Sequence, residues 1–217
     1  TSEKQIMNRI FPEQLNQHLS QRLAKVYFLV GQDPLLLSES EDAIYKTANQ
    51  QGFDEKNNIQ IDSQTDWAKL IESYQSMGLF FNKQVMVLNL PENFTALLQK
   101  NLQEFISVLH DDILLILQIA KLAKANENQA WFVELNQYET SAILVNCQTP
   151  TAENLPRWVK NRTKAMGLEA DDEAIQQLCY SYENNLLALK QALQLLDLLY
   201  PDHKLSYNRV ISVVEQS

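Results

Sequence analysis

The sequence predicts an α/β fold: a doubly wound, parallel-sheet domain to about residue 150, followed by a separate helical domain. Three observations carry this. Apolar runs alternate with amphipathic helical patterns from residue 26 to residue 147. One run, Ile113-Leu114-Leu115-Ile116-Leu117, is unbroken by any polar residue, as in a strand covered on both faces. After Cys147 the strand pattern is expected to cease, and only helical patterns follow Thr149-Pro150.

Phe11-Pro12-Glu13-Gln14-Leu15 opens the first helix, with Pro near its start and an acid in its first turn. Leu15, Leu19 and Leu23 share one face. Val26-Tyr27-Phe28-Leu29-Val30 is a buried strand that Gly31-Gln32-Asp33-Pro34 ends, and a helix runs from 35 towards 51. Residues 58–62 form a weaker strand. Thr65 or Asp66 caps the next helix, whose apolar face is Trp67, Leu70, Ile71 and Tyr74. Gly78 stands where that helix should stop. A strand follows over 85–90, closed by Pro91. Leu97, Leu98, Leu102, Phe105, Ile106 and Leu109 mark a helix; then come the strand at 113–117, a helix over 125–135 and a last strand over 142–147. In the second part, helices are predicted over 155–166, from a cap at Asp171 or Asp172 through Tyr182, from Asn185 to Tyr200, and after a cap at Ser206.

The 217 residues suit one large or two small domains, and 45% hydrophobic content can supply a core. A net charge of −9 leaves no broad positive field for nucleic-acid phosphates, though a local basic patch could still touch them. Two cysteines, Cys147 and Cys179, form no disulfide framework and fit a reducing cytosol. Residues 1–6 have no apolar signal core, Met7 is a candidate native start, and no apolar run is long enough to span a bilayer.

The turn after the first strand is where a nucleotide site belongs. A phosphate-binding loop there needs several glycines, a Lys and a Ser or Thr for magnesium. Gly31-Gln32-Asp33-Pro34-Leu35-Leu36-Leu37-Ser38 has one Gly, no Lys, an acid that would repel phosphate, and a Pro that removes a backbone donor. The paired acids expected after the later strand are replaced by Pro91-Glu92-Asn93. His18, His110 and His203 lack metal-ligand spacing, Asp111-Asp112 suggests a solvated edge, and neither cysteine has a base nearby in sequence. No catalytic residue, cofactor or metal is expected. Arg157, Lys160, Arg162 and Lys164 surround Trp158 on one helix; a solvated face is one reading, a docking patch for a subunit or DNA the other.

The most unusual stretch is Gln75-Ser76-Met77-Gly78-Leu79-Phe80-Phe81. A link between helix and strand usually carries polar turn chemistry; this one carries three large apolar residues. They either fold back into the core or project into a partner's pocket, where such anchors dominate binding energy.

The chain resembles the delta subunits of the bacterial DNA polymerase III clamp loader. The likeness rests on Phe11-Pro12-Glu13-Gln14-Leu15, Gly31-Gln32-Asp33-Pro34-Leu35-Leu36-Leu37, His110-Asp111-Asp112, Leu155-Pro156-Arg157-Trp158-Val159 and Asn185-Leu186-Leu187-Ala188-Leu189, and covers nearly everything from Met7 onward. The resemblance implies an AAA+-like α/β domain (1–149) carrying a clamp-binding loop, and a small all-α lid domain (150–217). The family's C-terminal helical collar is expected to be absent from this chain. It also implies no ATP hydrolysis, with Asn184-Asn185-Leu186-Leu187 where ATP-using relatives have a Gly-x-x-Arg pattern. The implied partners are the sliding clamp (the beta subunit), the gamma/tau and delta prime subunits, and primed DNA through the assembled complex, with no membrane. The implied clamp-binding residues are Gln75, Met77, Leu79 and Phe80, with Phe81 beside them in an open role. The implied task is ring opening as a non-catalytic part of a polymerase assembly. The alternative is a degenerate AAA+ protein that turns over nucleotide with a partner's help.

Overall fold

The computed structural model describes residues 8–76, 82–123 and 142–214. It divides into two compact units, residues 1–32 with 36–148 and residues 33–35 with 149–217.

The first unit is built on a six-stranded parallel sheet of order β1-β6-β2-β5-β4-β3. Its elements are β1 (Asn8–Ile10), α1 (Pro12–Gln21), β2 (Val26–Val30), α2 (Pro34–Gln50), β3 (Phe53–Gln60), α3 (Trp67–Ser76), β4 (Lys83–Asn89), α4 (Ala96–Ser107), β5 (Ile113–Ile119) and β6 (Ala142–Asn146). The predicted helix over 125–135 lies outside the described residues. β2 sits at the centre, paired through Phe28 with Leu117 of β5 and with Leu144 of β6. Every residue of β2 is buried, which explains why the strand reads as a continuous apolar run.

One face of the sheet supplies Phe28, Met86, Leu88, Leu115 and Leu117 to a core that includes Leu98, Leu102 and Phe105 of α4. Phe105 is the hub. Trp67 and Tyr74 of α3 meet its ring edge-on, with centroids 6.0 and 6.1 Å away, an arrangement that stabilises beyond simple burial. On β2 the alternate residues Tyr27 and Leu29 are also fully buried. The Tyr27 hydroxyl accepts from the Ala24 N–H at 2.8 Å and is hydrogen-bonded to His18 Nε2 at 3.0 Å. Burial pushes the Tyr27 phenol up to about 12.

The structure departs from the sequence expectations at four places in this unit. β1 was not anticipated; three residues are too few for a periodic signal, and its register opposite Ile143 to Val145 comes from pairing. β3 begins five residues before its predicted start at 58, because it is an edge strand bonded only to β4 and exposes most of its polar side chains. Leu97 is 67% exposed and not on the apolar face; it lies one residue, about 100° of helix, from buried Leu98. The helix capped at Phe11 ends before Leu23, which is half-buried.

The second unit contains α5 (Leu155–Ala165), α6 (Asp172–Tyr182), α7 (Leu186–Leu199) and α8 (Tyr207–Val214). Caps define the starts: the Asp171 carboxylate accepts from Ala174 N–H at 2.8 Å and the Asn185 side chain from Ala188 N–H at 3.1 Å. α6 packs on α5, α7 and α8, burying Ala174, Ile175, Leu178 and Tyr182. The expectation that no strand follows Cys147 is corrected here. β7 (Glu169–Ala170) and β8 (Lys204–Leu205) form a small parallel pair, closed by Glu169 N–H to His203 O at 2.8 Å. Two residues per strand leave no readable alternation.

Burial, then the Arg22 charge, holds the His18 imidazole below its ordinary value of 6.5. The unfolded chain therefore takes up a proton there before the native one does, and native stability falls as pH drops below 6.5 and through the lowered value. Urea unfolding at pH 7.5 and pH 5 should show a larger loss for the parent protein than for His18→Gln. Equal losses would contradict this.

Candidate functional site

The turn between β2 and α2 contains the residues that a nucleotide site would have to use. Gly31 has φ +145°, and a Cβ there would lie 2.2 Å from the Cys147 carbonyl carbon and 2.5 Å from Gln148 N. Glycine is needed because two backbones meet, at the point where Cys147 N–H donates to Val30 O at 2.7 Å and Gly31 N–H to Ile119 O at 2.9 Å. Asp33 is 3% exposed. Its carboxylate accepts from Leu35 N–H at 3.0 Å and from the Thr149 hydroxyl at 2.7 Å. It thus holds the first turn of α2 in place and satisfies its own buried charge. Both residues are committed to chain geometry rather than to cradling a phosphate.

The remaining polar candidates are likewise structural in this geometry. Asp111 pairs with Lys25, whose ammonium holds the carboxyl below its ordinary value, while the Asp112 carbonyl accepts from Gln84 N–H at 2.9 Å. Glu92 is exposed after β4. His18 bonds Tyr27, and His203 lies 3.1 Å from an Asp197 carboxylate oxygen. Among the described residues no group of three His, Cys, Asp or Glu is placed to hold a metal ion. Cys147 is buried beside the Ser40 hydroxyl, and burial pushes the Cys179 thiol up. Asn184 adopts φ +62°, a conformation Gly takes most easily, immediately before Asn185 caps α7. Leu187 is half exposed on that helix.

Of the predicted clamp-binding residues, Gln75 is described. It is exposed in the last turn of α3, directly after buried Tyr74. Met77, Leu79, Phe80 and Phe81 lie outside the described residues, as does Gly78. Their two neighbouring elements are firmly anchored: α3 by Trp67, Leu70, Ile71 and Tyr74 against the core, and β4 by pairing with both β3 and β5.

Residues 27–148 match the family model for the DNA polymerase III delta subunit. The chain belongs to that family. A delta subunit of Haemophilus influenzae is 82% identical over 211 residues, and one of Escherichia coli is 47% identical over 212 residues. Each comparison covers 97% of this chain and 61% of the relative, so the chain spans about three-fifths of the length of those delta subunits. The Bacillus subtilis clamp loader delta protein matches with a TM-score of 0.69 at 15% identity, covering 93% of this chain and 62% of that one. The last likeness concerns the fold alone, a parallel sheet flanked by helices. In this delta-family chain the turn that most resembles a nucleotide loop is shaped by β6.

Sequence reading noticed the lone Gly31 but missed its neighbour. Cys147 is 116 residues away in the chain, and only the β2–β6 pairing brings it close. Gly31→Ala should lower stability by more than about 3 kcal/mol, or prevent folding, because clash is added to strain. Gly167→Ala, at φ +74° with nothing within 4 Å of the new Cβ, should cost about 1–2 kcal/mol. Urea unfolding of the two variants compares them, and equal costs would refute the close-approach explanation.

Proposed function

We propose that this chain is the clamp-engaging part of a clamp-loader subunit, binding the ring-shaped sliding clamp through Gln75, Met77, Leu79, Phe80 and Phe81. The observation that supports it most is the exposure of Gln75 beside buried Tyr74. The face of α3 that holds Trp67, Leu70, Ile71 and Tyr74 is used by the core, so the helix leaves its polar side for a partner. Residues 77–81 join this anchored helix to an anchored strand, and short connections between rigid elements commonly carry binding residues.

Leu79 and Phe80 supply the energy in this reading. Burying each in an apolar pocket is worth roughly 1.5–3 kcal/mol. Inverting a ring equilibrium from mostly closed to mostly open needs about 5.5 kcal/mol of differential affinity. Two anchors that fit the open state better reach that order without covalent chemistry. Residues 1–149 then act as the scaffold and residues 150–217 as the lid. Cycling between bound and released states is driven by nucleotide-using partners, the gamma/tau and delta prime subunits, with primed DNA meeting the assembled complex. A cytoplasmic location follows from that role. This subunit performs no hydrolysis itself, consistent with the structural uses of Gly31 and Asp33.

The Leu79→Ala/Phe80→Ala double variant should lose at least a hundredfold in affinity for the sliding clamp by surface plasmon resonance, with unchanged circular dichroism. Retained affinity would rule out the assignment of these residues. A collapsed fold would return them to the core.

A further inference from the structure

The small parallel pair of the second unit has two outer edges, and they differ. On β8, the Lys204 N–H donates to an Asp202 carboxylate oxygen at 3.2 Å, and Lys204 O accepts from the Arg209 guanidinium at 2.7 Å. That edge is closed by the chain's own side chains. On β7, the Glu169 N–H goes to His203 O at 2.8 Å and the Asp171 N–H to Leu205 O at 3.2 Å. Both bonds face β8, so Ala170 between them turns its N–H and C=O the other way. Among the described residues neither of these two groups has a partner. An open strand edge is a template for a further strand.

Ala170 lines an open groove of about 890 Å³, within the size range of clefts that hold ligands. Buried Leu168, Ile175 and Leu205 also line it. Lys160 and Lys164 of α5 reach it as well, both exposed, on a helix that has no acid. The groove's two acids are engaged. The Asp171 carboxylate caps α6, and Glu169 stands opposite Lys204 in the β7–β8 register, where the two charges offset each other. Lys160 and Lys164 are left as the surplus charge of the groove.

We propose that β7 accepts an extended acidic peptide as an added strand, its backbone bonded to Ala170 and its carboxylates on Lys160 and Lys164. The spacings agree. Lys160 and Lys164 are one helical turn apart, about 6 Å along the axis of α5. Alternate side chains of an extended strand are about 6.6 Å apart on one face. A peptide with an acid at every second position therefore meets both lysines, and the residues between need carry no charge. A second copy of this chain is a poorer occupant, because pairing β7 with its own twin about a two-fold axis brings the same lysines towards each other. The site belongs to the second unit alone and does not depend on clamp binding.

Fluorescence anisotropy of this chain with a labelled peptide of about eight residues, glutamate alternating with valine, tests the proposal at about 50 mM salt, where exposed charges are little screened. Binding should saturate, and K160Q/K164Q should bind at least tenfold more weakly with unchanged circular dichroism. Ala170→Pro should abolish binding, because proline removes the outward N–H and is tolerated at a strand edge. Amide hydrogen exchange should show new protection at Ala170 when the peptide is added. If Ala170→Pro loses helical signal, the peptide decides: N-methylation of one alternate set of its nitrogens should abolish binding, and methylation of the other set should spare it. No binding by the parent chain, equal binding of a lysine–valine peptide, or equal binding of the two methylated peptides would each overturn the proposal. Self-association of the parent chain that Ala170→Pro removes, with no peptide bound, would overturn it in favour of a second copy.

Discussion

The contact on which the first unit depends is the meeting of Gly31 with the Cys147 backbone. β2 is the central strand and every one of its residues is buried, so its ends cannot turn to water for hydrogen bonds. They turn to neighbouring strands instead. Val30 O takes the Cys147 N–H, and the Gly31 N–H goes to Ile119 O. The first bond presses the chain leaving β2 against the chain leaving β6, and the second ties it to the end of β5. No side chain fits between them, since a Cβ would fall inside the Cys147 carbonyl group.

That constraint bears on the functional reading. The end of the central strand is where a parallel α/β fold usually places a ligand, with glycines leaving backbone donors free for phosphate. In this delta-family chain the turn at that place is bound to its own neighbours. One glycine is used for strand packing, and the acid that follows is spent on the first turn of α2. A fold whose strand-end turn is held this tightly by its own backbone can serve as a rigid holder. Here the rigid parts nearest the proposed contact residues are α3, fixed by the Trp67–Phe105–Tyr74 cluster, and β4, paired on both sides. Precision in such a contact comes from its supports as much as from the contact residues.

How much could be read beforehand followed from how much each element depends on local pattern. Buried central strands and capped helices were legible because their signals are local: the apolar run of β5, Asp171 before α6, Asn185 before α7. Asp66, not Thr65, accepts from the Lys69 N–H, while the Thr65 hydroxyl takes the Asp62 N–H; sequence alone left those two equivalent. β1, β3 and the β7–β8 pair were obscure because pairing, not composition, makes them strands. Asp33 was read as a group that would repel phosphate, and its positive task, bonding Leu35 and Thr149, depends on a residue more than a hundred positions away. At the proposed contact, composition singled out Leu79 and Phe80 but favoured the core reading; family resemblance reversed it.

Amide hydrogen exchange with and without a stoichiometric sliding clamp tests the central claim most directly. Strong new protection confined to residues 75–82, with α4 and β2 unchanged, is the expected result. Full protection of 77–81 before the clamp is added, or clamp-induced protection that falls elsewhere and spares this segment, would contradict it.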